Sequence, residues 1–230
     1  FLHSYVNSSY DCGMFSHSPT QLQELVSYLL AEAKALGATD AAAELSEGSG
    51  LSVSVRKGNI ETIEQNLDKQ AGVTVFIGQR RGNAGTSDFS KESLKASVRA
   101  AFHIAQHTAE DDCAGLAEAD LLEKNPKDLD LYHPWNINTA EAVEIARDAE
   151  RGAFAVSKNI TNSDGATVSA QQSHFMLGTS NGFMGGYAIS RHYIACTPIA
   201  SATSKKGAAM QRDDWHTTAR APEDLARPGD

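Results

Sequence analysis

Apolar residues at Leu22, Leu25, Val26, Leu29, Ala33 and Leu36 recur at helical spacing, the signature of one buried helix face. Ser18-Pro19-Thr20-Gln21 supplies a capping serine, a proline suited to the first helical position and a glutamine able to close a capping box, and Gly37 is a natural stop. A helix over 19–36 is predicted. The period then changes. Leu51, Val53 and Val55 alternate with Ser52, Ser54 and Arg56, as in a strand with one covered face. Lys57-Gly58-Asn59 reads as a turn, 60–67 and 71–77 as further strands, and Gly78 to Gly82 as a turn into a short strand near 82–86. Asp88 and Ser90 open a second helix, with Leu94, Val98, Ala101, Phe102 and Ala105 on its apolar stripe and Lys95, Arg99 and His103 along the other side.

Residues 108–137 show little periodicity and contain Pro126-Lys127-Asp128 and His133-Pro134-Trp135, so they are read as a long connection. Asn138 to Glu141 forms another capping box, and Ala142, Ile145, Ala146, Ala149, Ala153 and Val156 predict a third helix with a small-residue face. Strands follow at 166–171, 173–179, 184–197 and 207–215, with Asn181-Gly182 as a hairpin signal. Pro222 to Asp230 reads as a frayed end. The expected fold class is α+β: an antiparallel meander packed with two helices, then a third helix and a mostly antiparallel β second half. The corresponding division is 1–17 as a disordered stretch or extension, 18–108 as an amino-terminal α+β domain, 109–137 as the connection, and 138–230 as a helix plus an incomplete β-rich segment.

Of 230 residues, 41% are hydrophobic, enough for a substantial core. No apolar run approaches the roughly 20 residues that cross a bilayer, and the first 14 residues lack a signal-peptide pattern. Cys12, Cys113 and Cys196 are odd in number and widely spaced, which suggests neither a disulfide framework nor a zinc ribbon and fits a reducing cytoplasm. The net charge of −9 opposes a nucleic-acid partner. The densest basic spots, Arg80-Arg81 and Lys205-Lys206, have the glycine neighbours of solvated turns.

Candidate chemistry is sparse. His103 and His107 are spaced for one helical face, but Ile104 stands where a zincin would carry its glutamate, so the pair reads as a solvated face. His174 and His192 fall on neighbouring predicted strands, with Asp213-Asp214 on the last strand; that loose constellation reads as cross-strand packing before it reads as a metal or hydrolase site. There is no Gly-x-Ser-x-Gly elbow, and Cys196, in an apolar strand, reads as a small core residue. The Gly182-Phe183-Met184-Gly185-Gly186 segment lacks the lysine of a phosphate loop and suits a bulged hairpin approached closely by another backbone.

Particular strings carry more information. Val55-Arg56-Lys57-Gly58-Asn59-Ile60-Glu61, Gly72-Val73-Thr74-Val75-Phe76, the run from Arg81 to Ser90, Thr161 to Ala166, Thr179-Ser180-Asn181-Gly182-Phe183 and Met210 to Trp215 resemble the TldD/PmbA family, once called modulators of DNA gyrase. The likeness spans Pro19 to Ala226 and points to the amino-terminal half of a member of the PmbA-like, or TldE-like, branch. It implies a subunit of a two-component zinc metalloprotease that degrades or processes unfolded peptides. This chain would shape the substrate chamber, while a TldD-like partner carries the Zn in a His-Glu-x-x-x-His motif that this sequence lacks. No catalytic residue and no metal ligand of this chain is implied. Ser180, Asn181, Gly182 and His192 are the residues expected at the substrate cleft. The partners implied are the TldD-like subunit and an extended peptide, with self-association into a homodimer in the absence of that subunit. A non-proteolytic peptide-binding regulator of gyrase or toxin–antitoxin type is the competing expectation, and an independent metallohydrolase built on His174 and His192 is a third.

Overall fold

The computed structural model describes residues 5–6, 15–204 and 207–226. Along the chain run β1 (Tyr5–Val6), α1 (Pro19–Ala35), β2 (Asp40–Arg56), β3 (Asn59–Ile77), β4 (Arg80–Thr86), α2 (Lys91–His107), α3 (Thr139–Val156), β5 (Ile160–Thr179), β6 (Met184–Gly186), β7 (Ala188–Ser204), β8 (Gly207–Arg212) and β9 (Trp215–Ala219), then a turn of 3-10 helix at Pro222–Asp224. This is an α+β fold whose second half is mostly strand. Strand order is β1-β6-β5-β2-β3-β4, and β7 pairs with β5, β8 and β9. The β1–β6 pair is parallel; β3–β4, β5–β6, β7–β8 and β7–β9 are antiparallel. Among the described residues no helix is long and apolar enough to cross a membrane.

Local chemistry sets the helix ends. The Ser18 hydroxyl accepts from the Gln21 amide while the Gln21 side chain accepts from the Ser18 amide, and Asn138 and Glu141 repeat the arrangement at α3, so both helices begin with a capping box. Helix α1 stops as Ala38 N–H reaches back to Ala33 C=O and Gly37 takes φ 94°, a left-handed end that favours glycine.

The chain forms two compact units. The first comprises the described residues within 1–48, 67–129 and 173–188. In its core Leu22, Val26, Leu29 and Ala33 of α1 and Leu94, Val98, Ala101 and Ala105 of α2 meet Ala41, Ala43 and Leu45 of β2, Val73 and Val75 of β3, and Met176 of β5. Each fully buried leucine contributes about 1.5–3 kcal/mol through removal of its surface from water. Helix α2 lies so close to β4 that a Cβ on Gly82 would run into the Ala101 carbonyl and the Ala105 amide. Only a residue without a side chain lets the two backbones approach in this way.

The second unit comprises the described residues within 49–66, 130–172 and 189–230. Ala142, Val143, Ala146 and Ala149 of α3 pack with Val53 and Val55 of β2, Ala166 and Val168 of β5, Ile194 and Cys196 of β7, and Leu225. The β2–β3 connection turns on Lys57 (φ 51°) and Gly58 (φ 73°), two successive positive angles as in a type I′ hairpin. Buried Glu150 of α3 accepts from both turn amides, Lys57 N at 2.8 Å and Gly58 N at 2.7 Å, and from the Ser163 hydroxyl. Arg147 Nε adds a bond to Gly58 C=O at 2.9 Å.

Several sequence expectations are corrected. The stretches 60–67 and 71–77 are one strand, β3: Asp68-Lys69-Gln70 contains neither glycine nor proline and continues extended, with Lys69 reaching Glu47 of β2. Likewise 166–171 and 173–179 are one strand, β5, in which Gln172 is accommodated by bonds with Ser49 and Tyr132. The run 184–197 divides into β6 and β7, and 207–215 ends as β8 at Arg212, which leaves Asp213 and Asp214 between strands. Val156 is exposed while Val143 and Glu150 join the covered face of α3. Leu225, in the tail expected to fray, is buried. Phe15 and His17, in the stretch set aside as an extension, hold inward contacts described below. The remainder of 1–13 apart from Tyr5 and Val6, and Lys205-Lys206, lie outside the described residues.

Gly82→Ala is expected to lower stability by about 2 kcal/mol or more, because backbone must move, whereas Gly72→Ala, whose Cβ would meet nothing within 4 Å, is expected to stay within ~0.5 kcal/mol. Urea unfolding of both variants beside the parent checks this difference.

Candidate functional site

In β2 of the first unit the covered face reads Ala41, Ala43, Leu45, Glu47. Strand pleating thus places a carboxylate where the next apolar residue belongs. Glu47 Oε1 receives His17 Nδ1 at 2.6 Å and Lys69 Nζ at 3.2 Å; Oε2 receives the His17 amide at 3.0 Å and His174 Nε2 at 3.3 Å. Phe15 stacks on the His174 ring, with centroids 4.0 Å apart and planes 14° from parallel. Lys69 Nζ also sits 5.7 Å from the Phe89 ring centre, a cation–π distance. The lead-in to α1 is therefore tied to the sheet through one acid.

Burial pushes the Glu47 carboxyl up, but the hydrogen bonds from the His17 ring and amide, His174 and Lys69 outweigh it and hold the group below the usual carboxylate range. His174 titrates below the ordinary imidazole value because burial disfavours its cation more than Glu47 favours it. At neutral pH the cluster is a carboxylate held by donors. It has the parts of an acid–base relay, yet its acid is buried and occupied by bonds within the protein.

Ser180, Asn181 and Gly182 lie in the β5–β6 turn of the same unit. Ser180 Oγ donates to Asp40 Oδ1 at 2.9 Å and accepts from Ala41 N at 3.0 Å; Asn181 Oδ1 accepts from Thr179 Oγ1 at 2.6 Å and its amide donates to Ala117 C=O at 2.8 Å. Gly182 takes φ 107°. These polar groups fasten the hairpin to its surroundings. Across the turn, a Cβ on Gly186 would strike the Phe175 carbonyl, which is the close backbone approach expected of this glycine-rich segment.

The sequence reading missed a recess of about 430 Å³ on this unit, floored by Ala42, Gly72, Gly85 and Leu177 and edged by Glu44, Gln70, Thr74 and Asn83. Gly72 pairs directly with Gly85, and Thr74 with Asn83. Two glycines opposed on adjacent strands, each outside a turn, were the available signal. The recess offers hydrogen-bonding groups over a floor of glycine, alanine and leucine, with Glu44 as its ionisable group.

His192 belongs to the second unit, on β7. It is buried, its Nε2–H donates to His133 C=O at 2.8 Å, and Trp135 meets the ring edge-on with centroids 5.5 Å apart. Burial lowers its pKa. His174 and His192 sit on paired strands but take different partners, and Asp213 and Asp214 are exposed. Cys196 is buried in the second core, and burial raises its thiol pKa to about 11, which leaves it unreactive at neutral pH. Among the described residues no three His, Cys, Asp or Glu side chains are grouped to hold a metal ion.

Residues 41–105 match the family profile of PmbA/TldA metallopeptidase domain 1, and residues 132–228 that of the PmbA/TldA metallopeptidase central domain. The chain belongs to the PmbA/TldD family. It is 37% identical to metalloprotease PmbA of Escherichia coli O157:H7 over 209 residues, covering 90% of this chain and 45% of that one. A PmbA homolog from Haemophilus influenzae is 36% identical with the same coverage. This chain thus spans just under half the length of these relatives. The fold recurs in a modulator of DNA gyrase from Bacteroides thetaiotaomicron, with a TM-score of 0.80 and 17% identity over 90% of this chain and 47% of that one. It recurs also in TldE from Thermococcus kodakarensis, with a TM-score of 0.65 and 13% identity over 87% and 44%.

Replacing Glu47 with alanine is expected to cost about 3 kcal/mol, since a buried acid is removed from donors that remain. Acid should also destabilise this family member. Below the ordinary imidazole value of 6.5 the unfolded chain protonates His174 and His192 while the fold resists, so stability declines as pH falls from there. The depressed Glu47 carboxyl adds stability that is present above its unfolded value of 4.5 and is lost as pH drops through the folded value. Thermal unfolding midpoints between about pH 7.5 and pH 4 should fall accordingly, and His174→Gln with His192→Gln should flatten the upper part of that curve.

Proposed function

We propose that this chain is a PmbA/TldE-like subunit of a two-component zinc metalloprotease that degrades or processes unfolded peptides in the cytoplasm, shaping the chamber while a TldD-like subunit carries the zinc. The observation that carries the reading is the 37% identity to metalloprotease PmbA across 90% of the chain, which covers both matched metallopeptidase domains.

A feature of the second unit supports an extended substrate. Residues 59–66 of β3 are exposed, Ile60 and Ile63 among them. Among the described residues β4 pairs with β3 from Ala71 to Ile77 and not along 59–66, which leaves one edge of that stretch with backbone donors and acceptors to offer. An extended peptide can pair with such an edge through its own main chain, whereas a folded protein has those groups engaged already. The same edge would suit a regulator that binds peptides without cutting them, which is the second reading.

Co-expression with a TldD-like subunit separates the two. The expected result is a complex that co-purifies and cleaves a disordered peptide, with cleavage abolished by a zinc chelator and restored by zinc. A peptide held stably, uncut and indifferent to chelation would favour the regulator, and absence of both complex and cleavage would overturn the proteolytic assignment.

A further inference from the structure

Helix α2 carries a pair of ligating side chains that the proposed function does not use. His103 and His107 are both exposed, one helical turn apart on a single face. Their ring centroids lie 5.0 Å apart with planes inclined by 32°. That separation has a chemical meaning. A cation such as zinc sits ~2.0–2.1 Å from each imidazole nitrogen, and a ring centroid lies roughly 1.1 Å behind its nitrogen. Two rings bound at angles of about 90° to 109° therefore have centroids on the order of 4.5–5.2 Å apart. The observed centroid separation of 5.0 Å falls within that span.

We propose that His103 and His107 form a two-histidine surface site for a borderline divalent cation, Zn²⁺, with water completing the coordination sphere. Neutral imidazole suits zinc and disfavours the hard cations Mg²⁺ and Ca²⁺, which prefer oxygen. The pair sits at the carboxyl end of α2, where His107 is the last helical residue and the helix dipole favours positive charge. Exposed Arg99, one turn earlier, opposes a cation, and Glu110 just beyond the helix is engaged by Arg80 at 3.1 Å. With two protein ligands the site holds zinc exchangeably. It is independent of the peptidase reading, and zinc recovered with this chain would then belong to α2 and not to a hydrolytic centre.

The test uses the chain with any affinity tag removed and metal stripped. Zn²⁺ titration by calorimetry should show one saturable phase that Mg²⁺ does not produce, and in NMR spectra two of the eight histidine rings should shift together. His103→Gln and His107→Gln should each abolish the phase and both shifts, with circular dichroism unchanged because the residues are exposed, while His216→Gln leaves binding intact. Absence of a saturable phase, shifts in other rings, or unaltered zinc binding in either glutamine variant would overturn the site.

Discussion

The alternation of a β-strand fixes which side chains must be covered, whatever their chemistry. In β2 that rule carries Ala41, Ala43 and Leu45 into the first core and then delivers Glu47 to the next covered position. A carboxylate there is tolerated only if its oxygens are supplied with donors. His17, His174 and Lys69 supply them, and in doing so they join the entry to α1, the middle of β3 and the later part of β5 to one side chain. The lead-in at Phe15 and His17 is ordered for that reason and not through any propensity of its own.

The second unit meets a similar demand in another way. Glu150 faces inward from α3 among small residues, and it gathers the two backbone amides of the Lys57-Gly58 turn. Successive amides in a turn of positive φ point the same way and form a small anion-binding nest, so the glutamate and the hairpin suit each other. Arg147 engages the turn carbonyl from the same helix. The hairpin tip is thereby held on both its donor and acceptor sides, and β3 leaves it as a defined strand although residues 59–66 have no covered face.

Membership of the PmbA/TldD family rests on residues spread over both matched domains, and the likeness in fold persists where identity falls to 13%. At that distance side-chain chemistry is free to change while strand order and core volume are not. Several of the side chains singled out in the sequence have defined partners within the fold. Ser180 and Asn181 fasten a turn, His192 donates into a carbonyl, and Cys196 fills a core. Among the described residues, the edge of β3 along 59–66 and the glycine-floored recess are exposed features of the fold.

The three helices were legible because their caps and apolar stripes are local: Ser18 with Gln21, Ser90 with Ser93 and Asn138 with Glu141 act within one turn. The hairpins at Lys57-Gly58 and Asn181-Gly182 were legible for the same reason. Strand extents were not. Ala41-Ala42-Ala43-Glu44-Leu45 has helical composition and becomes strand because both neighbours, β3 and β5, are strands that pair with it, and tertiary context overrides propensity. The continuity of β3 through Asp68-Lys69-Gln70 has no periodic signal, because the polar stretch before it has no covered face. By itself the sequence determined the helices, the turns, the α+β class and the family. Only the tertiary structure decided that Glu47 is buried with two histidines and a lysine, that Gly72 and Gly85 oppose each other over a recess, and that each compact unit draws on three separate stretches of chain. Those facts depend on pairings between residues far apart in sequence, which no local pattern encodes.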